Sequence, residues 1–178
     1  MTPKPPYPLA FAAIRFIVGF RSVKPPSCPA GLAAVRVFLE HHIKPDRLLV
    51  GHCADSWSVP PDKNDYPDRL LELGVNICVD RLYGPGNDFE AKANTIARLV
   101  AKGFAPHICL AHDNIACENK WNSKCPDDRR RASCHDNPRG FAVIPEILVP
   151  KLRQLGVSQD DIQAMLQKNP ARLLDVSP

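Results

Sequence analysis

Three short apolar runs in this 178-residue chain each end in side chains able to hold a cation or move a proton. The run at residues 48–51 ends in His52, with Asp55 close behind. The run that starts at Val75 ends in Asp80 and Arg81, and the run that starts at His107 ends in His112 and Asp113. Imidazole nitrogen and carboxylate oxygen are donors that zinc accepts together. A cation held between them would bring the pKa of a bound water towards neutrality and so create a nucleophile. Each motif alone also has a structural reading: a Gly-His turn, an Asp113 that caps the next turn, an Arg81 paired with Asp80 or with a loop carboxylate. The repetition at equivalent places in three successive units is what points to a site.

For these groups to converge, the runs that carry them must be neighbouring strands. They are short and apolar throughout, as strands buried on both faces of a parallel sheet are. Helical patterns separate them. Residues 29–42 put Leu32, Val35, Phe38 and Leu39 on one face, with Pro29 suited to a first turn. Residues 67–73 read as a short helix stopped by Gly74. Residues 88–102 read as a longer one, capped by Asp88, stopped by Gly103, with Phe89, Ala93, Ile96, Leu99 and Val100 inward. A loop at residues 114–139 leads to two final helices, from about residue 145 and from Ser158, where Asp161 completes a capping-box-like pair. This order predicts an α/β fold of parallel βα units, with the ligand site at the carboxyl ends of the strands. Three such strands leave open edges and bare faces. A second copy, a partner chain or the apolar stretch at residues 9–20 is therefore expected to cover them.

Composition narrows the function classes. Lys plus Arg exceed Asp plus Glu by 23 to 19, too small an excess to indicate nucleic acid. Arg129, Arg130 and Arg131 are flanked by Asp127 and Asp128 and read as a solvated loop. The seven cysteines, at 28, 53, 78, 109, 117, 125 and 134, are odd in number and dispersed. Such a set reads as reduced thiols in a cytoplasmic protein rather than a disulfide framework. Cys117, Cys125, Cys134 and His135 lack the close spacing of a structural zinc module. Cys53 reads as a small buried hydrophobe beside His52. Residues 1–28 form a separate Pro-rich segment. Its apolar stretch at residues 9–20 contains Arg15 and is too short for a bilayer, which needs roughly 20 apolar residues. It reads as a strand or helix packed on the remainder, and no membrane partner is expected.

The segments RLLVGHCADS, GVNICVDRLYG, ICLAHD and NPRGFAVIPEILVPKLRQLGVSQDDIQAMLQKNPARLL, in this order, resemble the C-terminal half of the phosphotriesterase family, binuclear metal hydrolases of the amidohydrolase superfamily. The resemblance runs from about residue 29 to residue 174 and implies a partial (β/α)8 TIM barrel: the last three βα units, strands six to eight, plus the C-terminal helices. It implies that His52 ligates the more exposed metal and that Asp113 ligates the buried one and takes the proton of the attacking water. Arg81 stands where lactonase-like members carry a substrate-binding arginine. The implied cofactor is a divalent metal, zinc first. The implied substrate is a small ester, lactone or phosphotriester.

The family's His-x-His of strand one, the bridging lysine of strand four and the histidine of strand five have no counterpart here, so four of the family's six ligands are missing. The reading expects a truncated hydrolase, in two parts (1–28 outside the family, 29–178 within it), and leaves open whether this chain alone is an enzyme. The alternative it carries is a non-catalytic barrel fragment acting as an interaction or assembly module.

Overall fold

The computed structural model describes residues 16–19, 29–54, 65–83, 88–113 and 139–174. Four strands form one sheet in sequence order: β1 (Phe16–Gly19), β2 (Leu48–Gly51), β3 (Asn76–Val79) and β4 (Ile108–Leu110). Every pairing is parallel. Leu48 faces Phe16, Val50 faces Ile77, and Cys78 faces Cys109. The sequence pattern predicts the last three strands. β1 lies in the N-terminal stretch where strand and helix were both open, and pairing with β2 decides for strand.

The helices α1 (Pro29–Glu40), α2 (Tyr66–Glu72) and α3 (Phe89–Ala101) connect successive strands, as parallel pairing requires. Leu32, Val35, Leu70, Leu71, Ile96 and Leu99 pack with Val50, Ile77, Val79 and Ile108 in one continuous core. Asp88 caps α3 by accepting the Ala91 amide at 3.0 Å. Gly103, at φ +87°, closes it: the Phe104 amide reaches back to the Leu99 carbonyl and the Gly103 amide to that of Val100. This turn needs a left-handed residue, which glycine adopts without Cβ strain.

Pro45–Arg47 and Ala105–His107 are single 3-10 turns that lead into β2 and β4. A buried asparagine clamps each. The Asn76 amide donates to the carbonyls of Asp46 and Leu48 at 2.9 and 3.0 Å, and the Asn169 amide to those of Ala105 and Ile108 at 2.8 and 2.7 Å. Arg172 then joins the two clamps, donating to Asn76 Oδ1 and to the Pro106 carbonyl. The C-terminal NPARLL segment is thus a fastener across the amino ends of the strands.

The last two helical stretches hold a feature the periodicity did not signal. π-turns at Ile144–Leu148 and Ala164–Lys168 precede α4 (Val149–Gln154) and α6 (Asn169–Leu174), while α5 (Gln159–Gln163) precedes the second π-turn. Pro150 and Pro170 stand in the first turn after each. A proline has no N–H for the carbonyl four residues back. The preceding amide bonds one residue further instead, Val149 to Ile144 and Asn169 to Ala164. Ser158 caps α5 as its pairing with Asp161 predicts, accepting the Asp161 amide at 3.1 Å.

One buried carboxylate ties α2 to α3. Asp68 receives both Arg98 guanidinium nitrogens, at 2.6 and 2.7 Å, and the Lys102 ammonium at 2.6 Å. Burial alone would raise its pKa. The hydrogen bonds and charges of Arg98 and Lys102 outweigh that and hold it below the usual 3.8.

Candidate functional site

The carboxyl ends of β2, β3 and β4 share a backbone feature. His52, Arg81 and Asp113 each stand just past the strand with positive φ, at +58°, +51° and +47°. A non-glycine residue in the left-handed region costs about 1–2 kcal/mol. Among the described residues the only other such case is His42, at the carboxyl end of α1. Three repeats of the same costly conformation just past successive strands single out this rim as the candidate site.

The side chains converge. His52 Nδ1 lies 2.7 Å from Asp80 Oδ1, and the His52 amide donates to Asp80 Oδ2 at 3.3 Å. One carboxylate therefore grips both the ring and the backbone of His52. An ionised carboxylate only accepts, so Nδ1 carries the proton and a neutral ring keeps its lone pair on Nε2. This is the arrangement that readies a histidine for a metal. Asp113 Oδ2 lies 3.9 Å from His52 Nδ1 and accepts from Arg81 Nε at 2.9 Å. The Asp80 side chain is only 8 % exposed whereas that of Asp113 is 46 % exposed, so the first is a support and the second faces solvent.

The register sets Asp80 and Asp113 on one face, and the left-handed turns at His52 and Arg81 bring those two side chains to it. The β3–β4 ladder continues one step past the strands through the Ala111 amide and the Val79 carbonyl at 3.1 Å. Alternation then puts Cys78 and Asp80 on the same face as Cys109, Ala111 and Asp113. Burial raises the pKa of both thiols, Cys109 to about 11, and Cys78 further with help from the Asp80 charge. Burial favours the protonated thiols beneath the rim and blunts them as nucleophiles at neutral pH. Cys53 is buried and its sulfur donates to the Val50 carbonyl at 2.9 Å, in keeping with a packing role.

The structure thus gathers three of the residues singled out by sequence, His52, Arg81 and Asp113. Arg81 pairs with Asp113 across the rim, a partner the sequence reading did not name. His112 does not join them. It packs edge-on against Phe141 at 5.4 Å, and its Nε2 is buried with no hydrogen-bond partner among the described residues. Asp55 and the loop at residues 114–138, with Cys117, Cys125, Cys134, His135 and the arginine run, lie outside the described residues. Two supports escaped the sequence reading. Asp80, a strand-end carboxylate by sequence, is the partner of His52. Lys92 is 1 % exposed and donates to the carbonyls of Asp80 and Arg81. Its signal was present: it precedes Ile96 and Leu99 at the spacing of one buried helical face.

His52 and Asp113 fit a divalent cation in donor type, nitrogen and oxygen. They fall short in number, since zinc takes three or four protein ligands and the described residues contain no group of three. Also among the described residues, no helix is long and apolar enough to cross a membrane.

A sequence model described as the phosphotriesterase family matches residues 21–174. The aryldialkylphosphatase of Saccharolobus solfataricus is 26 % identical over 147 residues, covering 80 % of this chain and 43 % of that protein. The phospho-furanose lactonase of Mycoplasmopsis synoviae is 29 % identical over 134 residues, covering 73 % of this chain and 34 % of that one. The solved phosphotriesterase from Mycobacterium tuberculosis superposes with a TM-score of 0.63 at 26 % identity, covering 82 % of this chain and 42 % of that structure. The chain spans about two fifths of the length of the curated relatives it matches.

Proposed function

This chain belongs to the phosphotriesterase family, and from that premise we propose that it carries the metal-binding rim of a hydrolase acting on ester, lactone or phosphotriester bonds. The observation that supports this most is the meeting of His52, Arg81 and Asp113 on one strand rim, with Nδ1 of His52 and Nε of Arg81 at 3.9 and 2.9 Å from the same Asp113 oxygen. His52, through Nε2, would hold the more exposed of two divalent metals and Asp113 the buried one, zinc first. When bound, the metal supplies an activated water. Asp80 keeps His52 in the tautomer that presents Nε2. The Asp113 carboxylate accepts the proton that the attacking water loses. Arg81 brings a positive charge to the side where a carbonyl or phosphoryl oxygen gains negative charge.

We read the four-stranded sheet as part of an eight-stranded barrel, with β2, β3 and β4 as strands six to eight. Further ligands then come from outside the described residues, and a second copy or partner chain covers the open edges. A second reading, a non-catalytic assembly module, draws on the ion pair itself: Arg81 already engages the carboxylate a metal would need.

The test is expression of the full chain with zinc or manganese in the medium, followed by metal stoichiometry, mass by light scattering, and turnover of a lactone, an aryl ester and an aryl dialkyl phosphate. Metal-dependent turnover that Asp113→Asn abolishes supports the hydrolase. A well-folded chain with neither metal nor turnover leaves the module.

A further inference from the structure

Lys92 takes no part in the chemistry described above, yet its ammonium is buried directly behind the rim. Nζ donates to the Asp80 carbonyl at 2.7 Å and to the Arg81 carbonyl at 2.9 Å. Successive carbonyls of an extended strand point to opposite sides. These two can meet one cation only because Arg81 leaves the extended region for φ +51°. We propose that Lys92 is the positioning residue of the rim. By drawing two consecutive carbonyls to one point, it holds Arg81 in its left-handed conformation. The hold on its own carbonyl steadies Asp80, whose carboxylate grips His52, and the turn sends the Arg81 guanidinium across to Asp113. A side chain on α3 thereby sets the tautomer of an imidazole on β2, which it does not touch.

The inference rests on the proposed site but is read out without turnover. In the full chain at fixed neutral pH, nitrogen-15 NMR of the wild type is expected to show His52 locked as the Nδ1–H tautomer. Lys92→Met, with native amide dispersion, is expected to lose that lock and drift to the Nε2–H form that free imidazole prefers. Lys92→Arg is expected to restore most of it. Asp80→Asn should reproduce the loss. Lys102→Met, which removes a cation from the same helix at the Asp68 cluster, should leave His52 unchanged. A folded Lys92→Met protein with His52 still locked overturns the proposal, as does loss of the lock in Lys102→Met. If Lys92→Met fails to fold, the wild type decides through couplings across the hydrogen bonds from Lys92 Nζ. Cross-peaks to the Asp80 and Arg81 carbonyl carbons support the proposal, and their absence refutes it. Failed turnover in a wild type that shows these signals counts against the hydrolase reading alone.

Discussion

His52 and Asp80 are held together twice, ring nitrogen to one carboxylate oxygen at 2.7 Å and backbone amide to the other at 3.3 Å. The imidazole therefore has little freedom to rotate. If the rim binds zinc, Asp80→Asn should weaken that binding by roughly 10- to 100-fold, the usual cost of losing a carboxylate behind a ligating histidine. Competition against a calibrated chelator measures it. Unchanged affinity would remove Asp80 from any role in metal binding.

Asp68 should make the protein sensitive to acid. Its folded pKa lies below the unfolded 3.8, so its contribution is complete above about pH 4 to 5 and fades as pH falls through the lower folded value. Arg98 and Lys102 are partly exposed and can turn to water when Asp68 is removed. Asp68→Asn should therefore cost only about 1–2 kcal/mol at pH 7. Urea unfolding at pH 7 and near pH 3 checks this: the gap between wild type and variant must narrow in acid.

Asn169 should matter more. Its amide serves two carbonyls in a buried position. Asn169→Ala strands both, at about 1–3 kcal/mol for each unsatisfied group. Asn169→Asp should be worse at neutral pH, because it turns an acceptor and a negative charge towards two carbonyl oxygens. Thermal melts of the pair rank them, and a melt of Asn169→Asp at or above that of Asn169→Ala would contradict the assignment.

Cys109 and Cys78 should resist alkylation. With Cys109 at about 11 and Cys78 higher still, the thiolate fraction at pH 8 is minute. Peptide mapping after iodoacetamide at pH 8 should leave both unlabelled in native protein and label both in urea. Native labelling comparable to that in urea would show that the region beneath the rim opens readily.

Strand ends and helix stops were legible from sequence because they rest on local rules: apolar runs, Asp88 and Ser158 as caps, Gly103 as a stop. The same runs put His52, Arg81 and Asp113 on one rim, since parallel βα units align their carboxyl ends. Long-range pairings were not legible. Arg81 had carboxylates on either side of it in sequence, and its choice of Asp113 depends on the β3–β4 register. The spacing of Lys92 to Ile96 and Leu99 puts it on the inward face of α3, but its main-chain carbonyl partners left no acidic neighbour in the sequence to point to them. The π-turns were hidden too. Helical periodicity does not record which carbonyl a missing proline N–H leaves behind, although Pro150 and Pro170 were in plain view.

The left-handed residues at the ends of β2, β3 and β4 also shape how this protein can be altered. Glycine at any of the three would relax the main chain, since it occupies that conformation freely. A selection for heat resistance alone would thus be drawn to the very codons that hold the imidazole, the guanidinium and the carboxylate. Screens meant to toughen the scaffold have to keep those codons constant, or they will harvest sturdier proteins with an emptied rim.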